Sequence, residues 1–464
     1  MNSYDFAVIG GGSAGYAAAS TAARLGLKTV VIEGGKEVGG LCILRGCMPS
    51  KTLLATARRA SEVREASEFG VQAQLTGIDP IAMQARKRSL IEDFASYRRG
   101  QLESGRFDFI RGHARFVNPY TLEIRAFDGS TSQIASRSFL VATGSRISPA
   151  PISGLADTGF LDSDALLESE TIPASVVVLG GGAIALEAAT FYAGLGSKVT
   201  LLQRSARVLK EADADVSEAV QAGLRKKGIQ LLTDVHLVKT ERLNNLKRVH
   251  FEHQTIAQHI DAQEIVYALG RTPNTEGLDL EKIGIRLNSE RIHTQRTQQT
   301  SLPHIFAAGD VCGPLEVVHI AIQQGEIAAR NAAKLLEEKG ADLESIDYRL
   351  KLLAVFSEPG VAMVGLTEAE AAQQQIPIMT SSYPFADHGK SMVEGHVDGF
   401  VKLTVHAVTR EILGGAVVGP QAAELIHEIV VAMSLRSTAG ALAQVPHYHP
   451  TLSEIWTYPA EDLA

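Results

Sequence analysis

Two cysteines, Cys42 and Cys47, stand five positions apart in a glycine-containing stretch. Such a pair can be a redox-active disulfide, part of a metal site, or two unreactive buried thiols. A metal site has little support, because the only other cysteine in the sequence is the distant Cys312. In a regular helix the pair would be about 7.5 Å apart along the axis, whereas a disulfide needs α-carbons roughly 4.4–6.8 Å apart. A disulfide therefore requires a distorted turn, which Gly46 permits.

The C-terminal region carries a histidine and a carboxylate at a spacing suited to proton transfer. His449 precedes Pro450, which we expect to hold the histidine extended and to start a helix with Glu454 about one turn in. A carboxylate beside an imidazole fixes its tautomer and raises its basicity, as a base that deprotonates a thiol requires. A histidine beside a proline is more often structural, so the pattern leaves both interpretations open.

An internal repeat supplies elements that could position this chemistry. Residues 6–33 read as strand, glycine turn, alanine-rich helix and second strand, and residues 176–203 repeat that order at an offset of 170. The fingerprint residues of the two copies are Gly10, Gly12 and Gly15, and Gly180, Gly182 and Ala185. In this motif the small residues allow the tight turn, the approach of a pyrophosphate and the packing of helix on strand. Two ligand-free glycine turns are the alternative, but the duplication favours two dinucleotide sites, and it favours a redox-active pair at the cysteines that follow the first copy.

The residue at the end of the second strand differs between the two copies. Glu33 can accept a hydrogen bond from a ribose 2′-hydroxyl, whereas Gln203 at the matching position lacks the charge that would repel a 2′-phosphate. Arg204, Arg207 and Lys210 follow, and guanidinium groups bind phosphate bidentately. The second site is therefore predicted to prefer or accept NADPH. A solvated basic loop is the alternative, since glutamine can also bond a 2′-hydroxyl.

Further strands extend the pattern to the rest of the chain. Residues 139–144 and 265–270 are apolar stretches that end in Ala-x-Gly, and residues 305–310 end in Asp310, which could bind hydroxyl groups. From about residue 346 the sequence pattern changes, and it predicts strands with alternating apolar and polar residues and an apolar helix around 422–433. We predict an α/β fold with two Rossmann-like dinucleotide-binding domains and a C-terminal α+β domain.

The amino-acid composition excludes several classes of protein. The 464 residues are 45% hydrophobic and 21% charged, which suits two to four domains and excludes a disordered chain or a small disulfide scaffold. The formal charge of −8 argues against a nucleic-acid partner. No apolar run reaches the roughly 18–20 residues that cross a bilayer, and the N-terminus lacks an export signal. Three cysteines suggest a reducing compartment, so we expect a cytoplasmic protein without a membrane partner.

These motifs resemble those of the class I pyridine nucleotide–disulfide oxidoreductases, which include dihydrolipoamide dehydrogenases, mercuric reductases and glutathione reductases. The resemblance covers essentially the whole chain. It implies an FAD-binding domain at 1–150 and 274–345, an NAD(P)-binding domain at 151–273 and a dimerisation domain at 346–464. It also implies that Cys42 is the interchange thiol that meets substrate and that Cys47 is the charge-transfer thiol against the flavin.

The resemblance implies roles for the remaining candidate residues. Lys51 would pair with Glu187 near flavin N5, and His449 and Glu454 would reach across a homodimer to the other subunit's disulfide. The predicted cofactor-binding residues are Gly10, Gly12, Gly15, Glu33, Gly40, Lys51, Thr143, Gly144, Gly180, Gly182, Ala185, Gln203, Arg204, Arg207, Gly270, Arg271, Gly309 and Asp310. Among them Asp310 would hold the flavin ribityl chain. No residue is assigned to a metal.

The predicted activity follows from the same likeness. The Pro-Ser-Lys after Cys47 and the His-Pro-Thr-Leu-Ser-Glu string are similar to dihydrolipoamide dehydrogenases, while residues 194–202 resemble mercuric reductases. Leu41 and Leu44 replace the usual Thr and Asn around the first cysteine. We predict an FAD-dependent oxidoreductase of the dihydrolipoamide dehydrogenase type that uses NAD or NADP, with a lipoyl-bearing protein or a small dithiol or disulfide as substrate. The alternatives are an NADPH-dependent reductase of another disulfide, a metal ion or a quinone, and a non-catalytic FAD-binding partner.

Overall fold

The fold was analysed on a computed structural model that describes residues 2–149, 151–338 and 340–464. Its strands are β1 (Asn2–Ile9), β2 (Thr29–Glu33), β3 (Asp108–Arg111), β4 (His113–Asn118), β5 (Thr121–Arg125), β6 (Thr131–Val141), β7 (Ser145–Ile147), β8 (Ser175–Leu179), β9 (Lys198–Leu202), β10 (Gln230–Leu232), β11 (Val235–Leu243), β12 (Leu246–His253), β13 (Ile256–Ala262), β14 (Glu264–Tyr267), β15 (Arg271–Pro273), β16 (Leu287–Asn288), β17 (Arg291–Ile292), β18 (Ile305–Ala307), β19 (Leu352–Val355), β20 (Gly360–Gly365), β21 (Ile378–Pro384), β22 (Phe400–His406) and β23 (Ile412–Gly419).

The α-helices are α1 (Ser13–Arg24), α2 (Gly40–Arg45), α3 (Cys47–Glu65), α4 (Pro80–Leu102), α5 (Leu155–Thr158), α6 (Ser163–Glu168), α7 (Ala183–Leu195), α8 (Ala214–Lys226), α9 (Val318–Glu337), α10 (Glu368–Gln373), α11 (Gly389–Val393), α12 (Ala422–Ser434), α13 (Ala439–Ala443) and α14 (Thr457–Asp462). Short 3₁₀ helices cover Ala66–Phe69, Glu281–Ile283, Tyr348–Leu350, Phe385–Asp387 and Ser453–Trp456. Across the described parts of the chain, no helix combines the length and the apolar character that a membrane crossing requires.

The chain divides into two compact units. The first comprises Met1–Ser50, Ala85–Ser148 and Gly270–Asp347, and the second comprises Lys51–Gln84, Pro149–Leu269 and Tyr348–Ala464. The second glycine fingerprint and the C-terminal region therefore belong to the same unit. The predicted boundary at Ala150 lies outside the described residues, and the division into three functional domains stays a prediction.

The first unit is built on a mixed sheet around strand β1. Strands run in the order β3-β2-β1-β6-β5-β4, and β18 also pairs with β6. The pairs β3-β2, β2-β1, β1-β6 and β6-β18 are parallel, while β5 and β4 continue the sheet antiparallel. Strand β1 carries a continuous buried apolar run, residues 6–9, as a parallel strand covered on both faces requires.

The described residues of the second unit form three sheets, of which the smallest is antiparallel in the order β11-β12-β13. The parallel order β10-β9-β8-β14, with helix α7 between β8 and β9, repeats the strand–turn–helix–strand arrangement of the first unit. The C-terminal sheet is antiparallel in the order β19-β20-β23-β22-β21. Helix α12 buries Leu425, Ile426 and Ile429 in the hydrophobic core that also contains residues of this sheet, and the buried Trp456 indole N–H donates to the Leu425 carbonyl at 3.0 Å. The predicted fold, two Rossmann-like units and an α+β C-terminal region, is confirmed.

Helix packing in the first unit depends on a glycine that the sequence analysis did not single out. A β-carbon on Gly325 in α9 would lie 2.3 Å from the carbonyl oxygen of Ala14 in α1. This distance is far below van der Waals contact, so the two helices approach each other through a bare α-carbon. The alanine-rich composition of α1 serves the same close contact.

We expect Gly325→Ala to destabilise the protein, although alanine is favoured over glycine in a helix by about 1 kcal/mol. The added methyl group would force α1 and α9 apart, and overpacking of this kind costs about 1–3 kcal/mol. Gly100→Ala in α4 is the matched control, because a β-carbon there meets no described atom within 4 Å. Calorimetry should give a lowered Tm for the first variant and an unchanged or raised Tm for the second. A Gly325→Ala protein as stable as the wild type would contradict this packing argument.

Candidate active site

The first glycine turn joins β1 to α1 through two very close backbone contacts. Gly10 has φ of +106°, and a β-carbon on it would lie 2.4 Å from the Ala142 carbonyl oxygen. A β-carbon on Gly15 would lie 1.8 Å from the Gly10 carbonyl oxygen. Only glycine fits these positions, so the N-terminus of α1 is held directly at the end of β1.

Backbone amides and one carboxylate surround this turn. Helix α1 begins after Gly12, and no described side chain caps it, so its first-turn N–H groups can bind an anion. The Glu33 carboxylate accepts hydrogen bonds from Gly11 N at 2.7 Å and from Gly35 N at 2.5 Å. Gly40 lies against the same turn, because a β-carbon on it would be 2.7 Å from Gly12 Cα. These groups fit a dinucleotide such as FAD, with the pyrophosphate at the helix N-terminus and a ribose at Glu33.

The second glycine turn, between β8 and α7, repeats this geometry. Gly180 has φ of +120°, and a β-carbon there would lie 2.4 Å from the Ala268 carbonyl oxygen. Helix α7 begins after Gly182 and likewise has no cap from a described side chain. Ala185, at the position equivalent to Gly15, is fully buried. The second turn therefore offers the same anion site to a second dinucleotide.

The loop after β9 is organised by the Gln203 side chain. Its Oε1 accepts a hydrogen bond from Arg204 N at 3.1 Å, and its Nε2 donates to the Arg207 carbonyl oxygen at 3.1 Å. A carboxylate at this position could not make the second bond, since it has no donor. Arg204 is exposed and Arg207 is half-buried, and neither guanidinium has a carboxylate partner among the described residues. The loop thus presents two guanidinium groups that an anion could bind.

A hydrogen-bond network surrounds the predicted ribityl-binding carboxylate. Ser145 Oγ donates to Asp310 Oδ2 at 2.7 Å, and Arg271 donates to Ser145 Oγ and to the Ser145 carbonyl oxygen, both at 2.9 Å. Thr143 Oγ1 donates to the Asn274 carbonyl oxygen at 2.7 Å. The side chains of Arg271 and Thr143 therefore hold the loops around Asp310. The predicted glycines of these strand ends, at 144, 270 and 309, all have positive φ and form the turns.

The cysteine pair lies where a helix is interrupted. Cys42 is in α2, Cys47 begins α3, and Gly46 separates the two helices. A β-carbon on Gly46 would lie 3.0 Å from the Leu41 carbonyl oxygen and 3.1 Å from Cys42 Cα. The expected distortion of the turn at Gly46 is thus present. Both cysteines are half-buried, whereas Cys312 is buried, and burial raises the pKa of its thiol to about 12.

The predicted pair of Lys51 and Glu187 is brought together in the second unit. Lys51 Nζ lies 2.8 and 2.9 Å from the two carboxylate oxygens of Glu187. Phe356 adds two contacts, since its backbone N donates to Glu187 Oε1 at 3.1 Å and its ring lies 4.7 Å from Lys51 Nζ. The ion pair thus joins two separate segments, and Phe356, from a third segment, contacts both of its members.

The predicted C-terminal pair is also in contact. His449 Nδ1 lies 2.9 Å from Glu454 Oε2, and the imidazole is 80% exposed while the carboxylate is 11% exposed. The expectation that Pro450 starts the helix is wrong. The 3₁₀ helix begins at Ser453, because the first hydrogen bond of this turn runs from Ile455 N to the Leu452 carbonyl.

The neighbouring His447 also pairs with a carboxylate, but its own side chain is nearly inaccessible. Its Nε2 lies 2.6 Å from Glu428 Oε1, its Nδ1 lies 2.9 Å from the Val445 carbonyl oxygen, and its side chain is 7% exposed. Both ring nitrogens are occupied, as in a structural histidine. His449, by contrast, presents its second ring nitrogen outward.

Comparison with known proteins identifies the family. Residues 4–325 match the pyridine nucleotide-disulphide oxidoreductases, and residues 353–460 match the dimerisation domain of the same family. The chain belongs to the pyridine nucleotide-disulphide oxidoreductase family. The resemblance stated from the motifs is confirmed, and members of this family are flavoproteins that use FAD and NAD(P).

Individual relatives are similar to this chain over nearly its full length. The chain is 34% identical to dihydrolipoyl dehydrogenase of Chlamydia trachomatis over 462 residues, covering 98% of this chain and 96% of the relative. It is 33% identical to dihydrolipoyl dehydrogenase of Bacillus subtilis over 463 residues, covering 97% and 96%. Among solved structures, LpdA from Mycobacterium tuberculosis gives a TM-score of 0.89 at 29% identity, covering both chains fully. A Cu(II) complex of the HOCl-induced flavoprotein disulfide reductase RclA from Escherichia coli gives 0.86 at 27% identity, again over both full chains.

The family fold brings a second histidine to Glu454 that the sequence analysis missed. His388 is fully buried, its Nδ1 lies 2.8 Å from Ser391 Oγ, and its Nε2 lies 3.4 Å from Glu454 Oε1. Burial lowers the pKa of His388, and the nearby Glu454 charge opposes that shift. No local pattern marks this residue, because the contact joins the segment after β21 to the C-terminal 3₁₀ helix.

A half-buried arginine near Cys42, Arg98, was missed for the same reason. The Arg98 guanidinium lies 4.1 Å from the Tyr16 ring centroid. Burial lowers the pKa of Arg98, and the nearby Tyr16 and Cys42 side chains oppose that shift. Arg98 is one of many charged residues of α4, so its sequence position carries no signal. No metal site competes for these groups, since no set of three or more His, Cys, Asp or Glu side chains in residues 2–149, 151–338 and 340–464 is placed to hold an ion.

The buried His388 should make the protein less stable in acid. Because burial lowers its pKa in the folded state, the unfolded chain binds a proton at higher pH, near the ordinary imidazole value of about 6.5. Stability should therefore fall as the pH drops below that value. His388→Gln removes this contribution, so its Tm should fall less than that of the wild type between pH 7 and pH 5. Equal losses of Tm in the wild type and in His388→Gln would show that protonation of His388 does not cause the loss of stability in acid.

Proposed function

We propose that this flavoprotein oxidises dihydrolipoyl groups, carried on a protein domain or as a small dithiol, and passes the electrons to a nicotinamide. The observation that carries the proposal is the exposed His449, hydrogen-bonded to the buried Glu454 at 2.9 Å. Full-length similarity to enzymes named dihydrolipoyl dehydrogenase supports the same activity.

The His449–Glu454 geometry determines which nitrogen acts as the base. The carboxylate can only accept, so Nδ1 carries the hydrogen and Nε2 presents its lone pair to solvent. In our proposal Nε2 removes the proton from a substrate thiol, and Glu454 stabilises the imidazolium that forms. The Glu454 carboxylate is largely buried while the His449 imidazole stays accessible.

The two cysteines would then exchange the electrons. The substrate thiolate attacks Cys42 sulfur, the Cys42–Cys47 bond breaks, and Cys47 leaves as a thiolate. The second substrate thiol loses its proton and attacks the substrate sulfur of the mixed disulfide, which releases Cys42. One dithiol is oxidised and one disulfide is reduced. FAD, when bound, supplies the two-electron transfer between this dithiol and the nicotinamide.

We further propose that the active enzyme is a homodimer in which His449 and Glu454 serve the cysteine pair of the other subunit. Support comes from the dimerisation-domain match, since residues 353–460 include both side chains. In this proposal Gly10, Gly12, Gly15 and Glu33 hold FAD, and the turn at Gly180 and Gly182 holds the nicotinamide cofactor. A cytoplasmic location stays a prediction from the low cysteine content.

The cysteines can be tested separately. Cys42→Ser should abolish oxidation of dihydrolipoamide while flavin reduction by the nicotinamide persists, because in the proposal only this thiol meets substrate. Cys47→Ser should remove the long-wavelength charge-transfer absorbance of the reduced enzyme. Cys312→Ser is the control, since that thiol is buried and should affect neither signal. Normal dihydrolipoamide turnover in both active-site variants would refute the assignment.

The proposed base predicts a selective loss of one half-reaction. His449→Gln should slow dihydrolipoamide oxidation by about 10²–10⁴-fold, the usual size of general-base catalysis, and should leave flavin reduction by the nicotinamide intact. His447→Gln is the matched control two residues away, and stopped-flow absorbance measures each half-reaction. A loss below about fivefold for His449→Gln would return this residue to a structural role.

A second candidate function is an NADPH-dependent reductase of another disulfide or a metal ion. The Gln203 loop favours it, because its two guanidinium groups have no carboxylate partner in the part of the chain that the structure describes and suit a 2′-phosphate. Leu41 and Leu44 beside Cys42, and the Cu(II) complex of RclA, point the same way. Turnover of dihydrolipoamide, glutathione disulfide, Hg²⁺ and Cu²⁺, with each nicotinamide, separates the two candidates.

The nicotinamide preference has its own test. In Arg204→Ala/Arg207→Ala, kcat/KM for NADP(H) should fall strongly while the value for NAD(H) is unchanged, because only the 2′-phosphate needs the guanidinium groups. Lys226→Ala is the control, since Lys226 lies outside this loop and its Nζ already lies 2.7 Å from the Asp398 carboxylate. A wild-type enzyme that strongly favours NAD(H), with no change in the double variant, would reject the preference.

A further inference from the structure

We propose that His388 is a positioning residue for dithiol oxidation, which holds the Glu454 carboxylate in place against the His449 imidazole. The inference rests on the proposed role of His449 as base. It assigns a purpose to a fully buried histidine that the mechanism does not otherwise use.

His388, Glu454 and His449 form a chain of contacts in which Glu454 lies between the two histidines. The His388 ring lies at the start of α11, with its plane nearly perpendicular to that of the Tyr458 ring at 6.4 Å. Nδ1 lies 2.8 Å from the hydroxyl of Ser391, which is itself fully buried. Nε2 lies 3.4 Å from Glu454 Oε1 and completes a hydrogen bond neither to it nor to any other atom of the described residues. The other carboxylate oxygen, Oε2, is the one that contacts His449.

These contacts select one tautomer of the buried ring. A bare Nε2 lone pair facing a carboxylate oxygen would be repelled, so the favoured arrangement has Ser391 O–H donating to Nδ1 and the Nε2–H directed at Glu454. Burial keeps the ring neutral, because it lowers the pKa of His388. The ionisable groups that act on it are Glu454 and His449. A neutral donor orients the carboxylate without competing with His449 for its negative charge.

The contact of 3.4 Å between His388 Nε2 and Glu454 Oε1 restrains the Glu454 carboxylate. Hydrogen bonds at active sites are often long before substrate arrives and tighten as charge develops. Oε1 has no other polar partner among the described side chains, so without His388 the carboxylate could rotate about its terminal bond. The bond from Oε2 to His449 Nδ1 would then lose its fixed direction, and with it the orientation of the catalytic nitrogen.

Two substitutions of His388 separate the groups it presents. Glutamine places an amide N–H near the position of Nε2 and keeps a donor for Glu454, whereas asparagine keeps a polar group only near Nδ1, facing Ser391. We expect His388→Asn to lower kcat for dihydrolipoamide oxidation about tenfold, in the range seen when an outer hydrogen-bond partner is lost, with KM little changed. His388→Gln should recover most of that loss.

Ferricyanide reduction by the nicotinamide is the internal control, because it needs no thiol deprotonation. It should keep its wild-type rate in both variants. If His388→Asn and His388→Gln behave alike, or if ferricyanide reduction falls together with dithiol oxidation, the inference is overturned and His388 is structural. His449→Gln is measured alongside. A base-dependent loss there with no difference between the two His388 variants rejects only the positioning role, whereas no loss in His449→Gln rejects the proposed function itself.

Discussion

The nucleotide-binding fold of the first unit depends on one close contact, between the first turn of helix α1 at Gly15 and the backbone of Gly10 at the end of β1. A β-carbon on Gly15 would lie 1.8 Å from the Gly10 carbonyl oxygen, so no other residue allows this contact. The contact places uncapped helical N–H groups beside Glu33. The second unit makes the same turn at Gly180, where a β-carbon would lie 2.4 Å from the Ala268 carbonyl oxygen. Gly180 thus repeats the contact of Gly10, where a β-carbon would also lie 2.4 Å from the Ala142 carbonyl oxygen, whereas Ala185 stands where the first unit has Gly15.

Burial separates the cysteines and the histidine that we propose to react from structural residues of the same type. Cys42 and Cys47 are half-buried at a helix interruption, whereas Cys312 is buried and its pKa is raised. His449 is exposed on a buried carboxylate, whereas His447 has both ring nitrogens occupied and is nearly inaccessible. In each case the residue type fits either role, and the surroundings decide which chemistry is accessible.

Sequence reasoning succeeded where the signal is local. The glycine turns, the parallel strands and the interruption at Gly46 follow from backbone geometry within a few residues, and the structure has them where they were expected. It failed at Pro450, where the helix starts three residues later, and at contacts between distant segments. His388 reaches Glu454 and Arg98 reaches the neighbourhood of Cys42 only through the fold, and neither belongs to a motif. The pairing of Lys51 with Glu187 was expected only because the family resemblance supplied it.

In the proposed mechanism, electrons from the nicotinamide reach a disulfide between Cys42 and Cys47. The most direct measurement is anaerobic reduction of the holoenzyme with one equivalent of nicotinamide, followed by thiol alkylation and mass-spectrometric mapping. We expect two newly alkylated cysteines per chain, Cys42 and Cys47, while Cys312 stays unmodified in the folded protein because it is buried. A reduced flavin with no newly alkylated cysteine would exclude a disulfide between Cys42 and Cys47 as the electron acceptor.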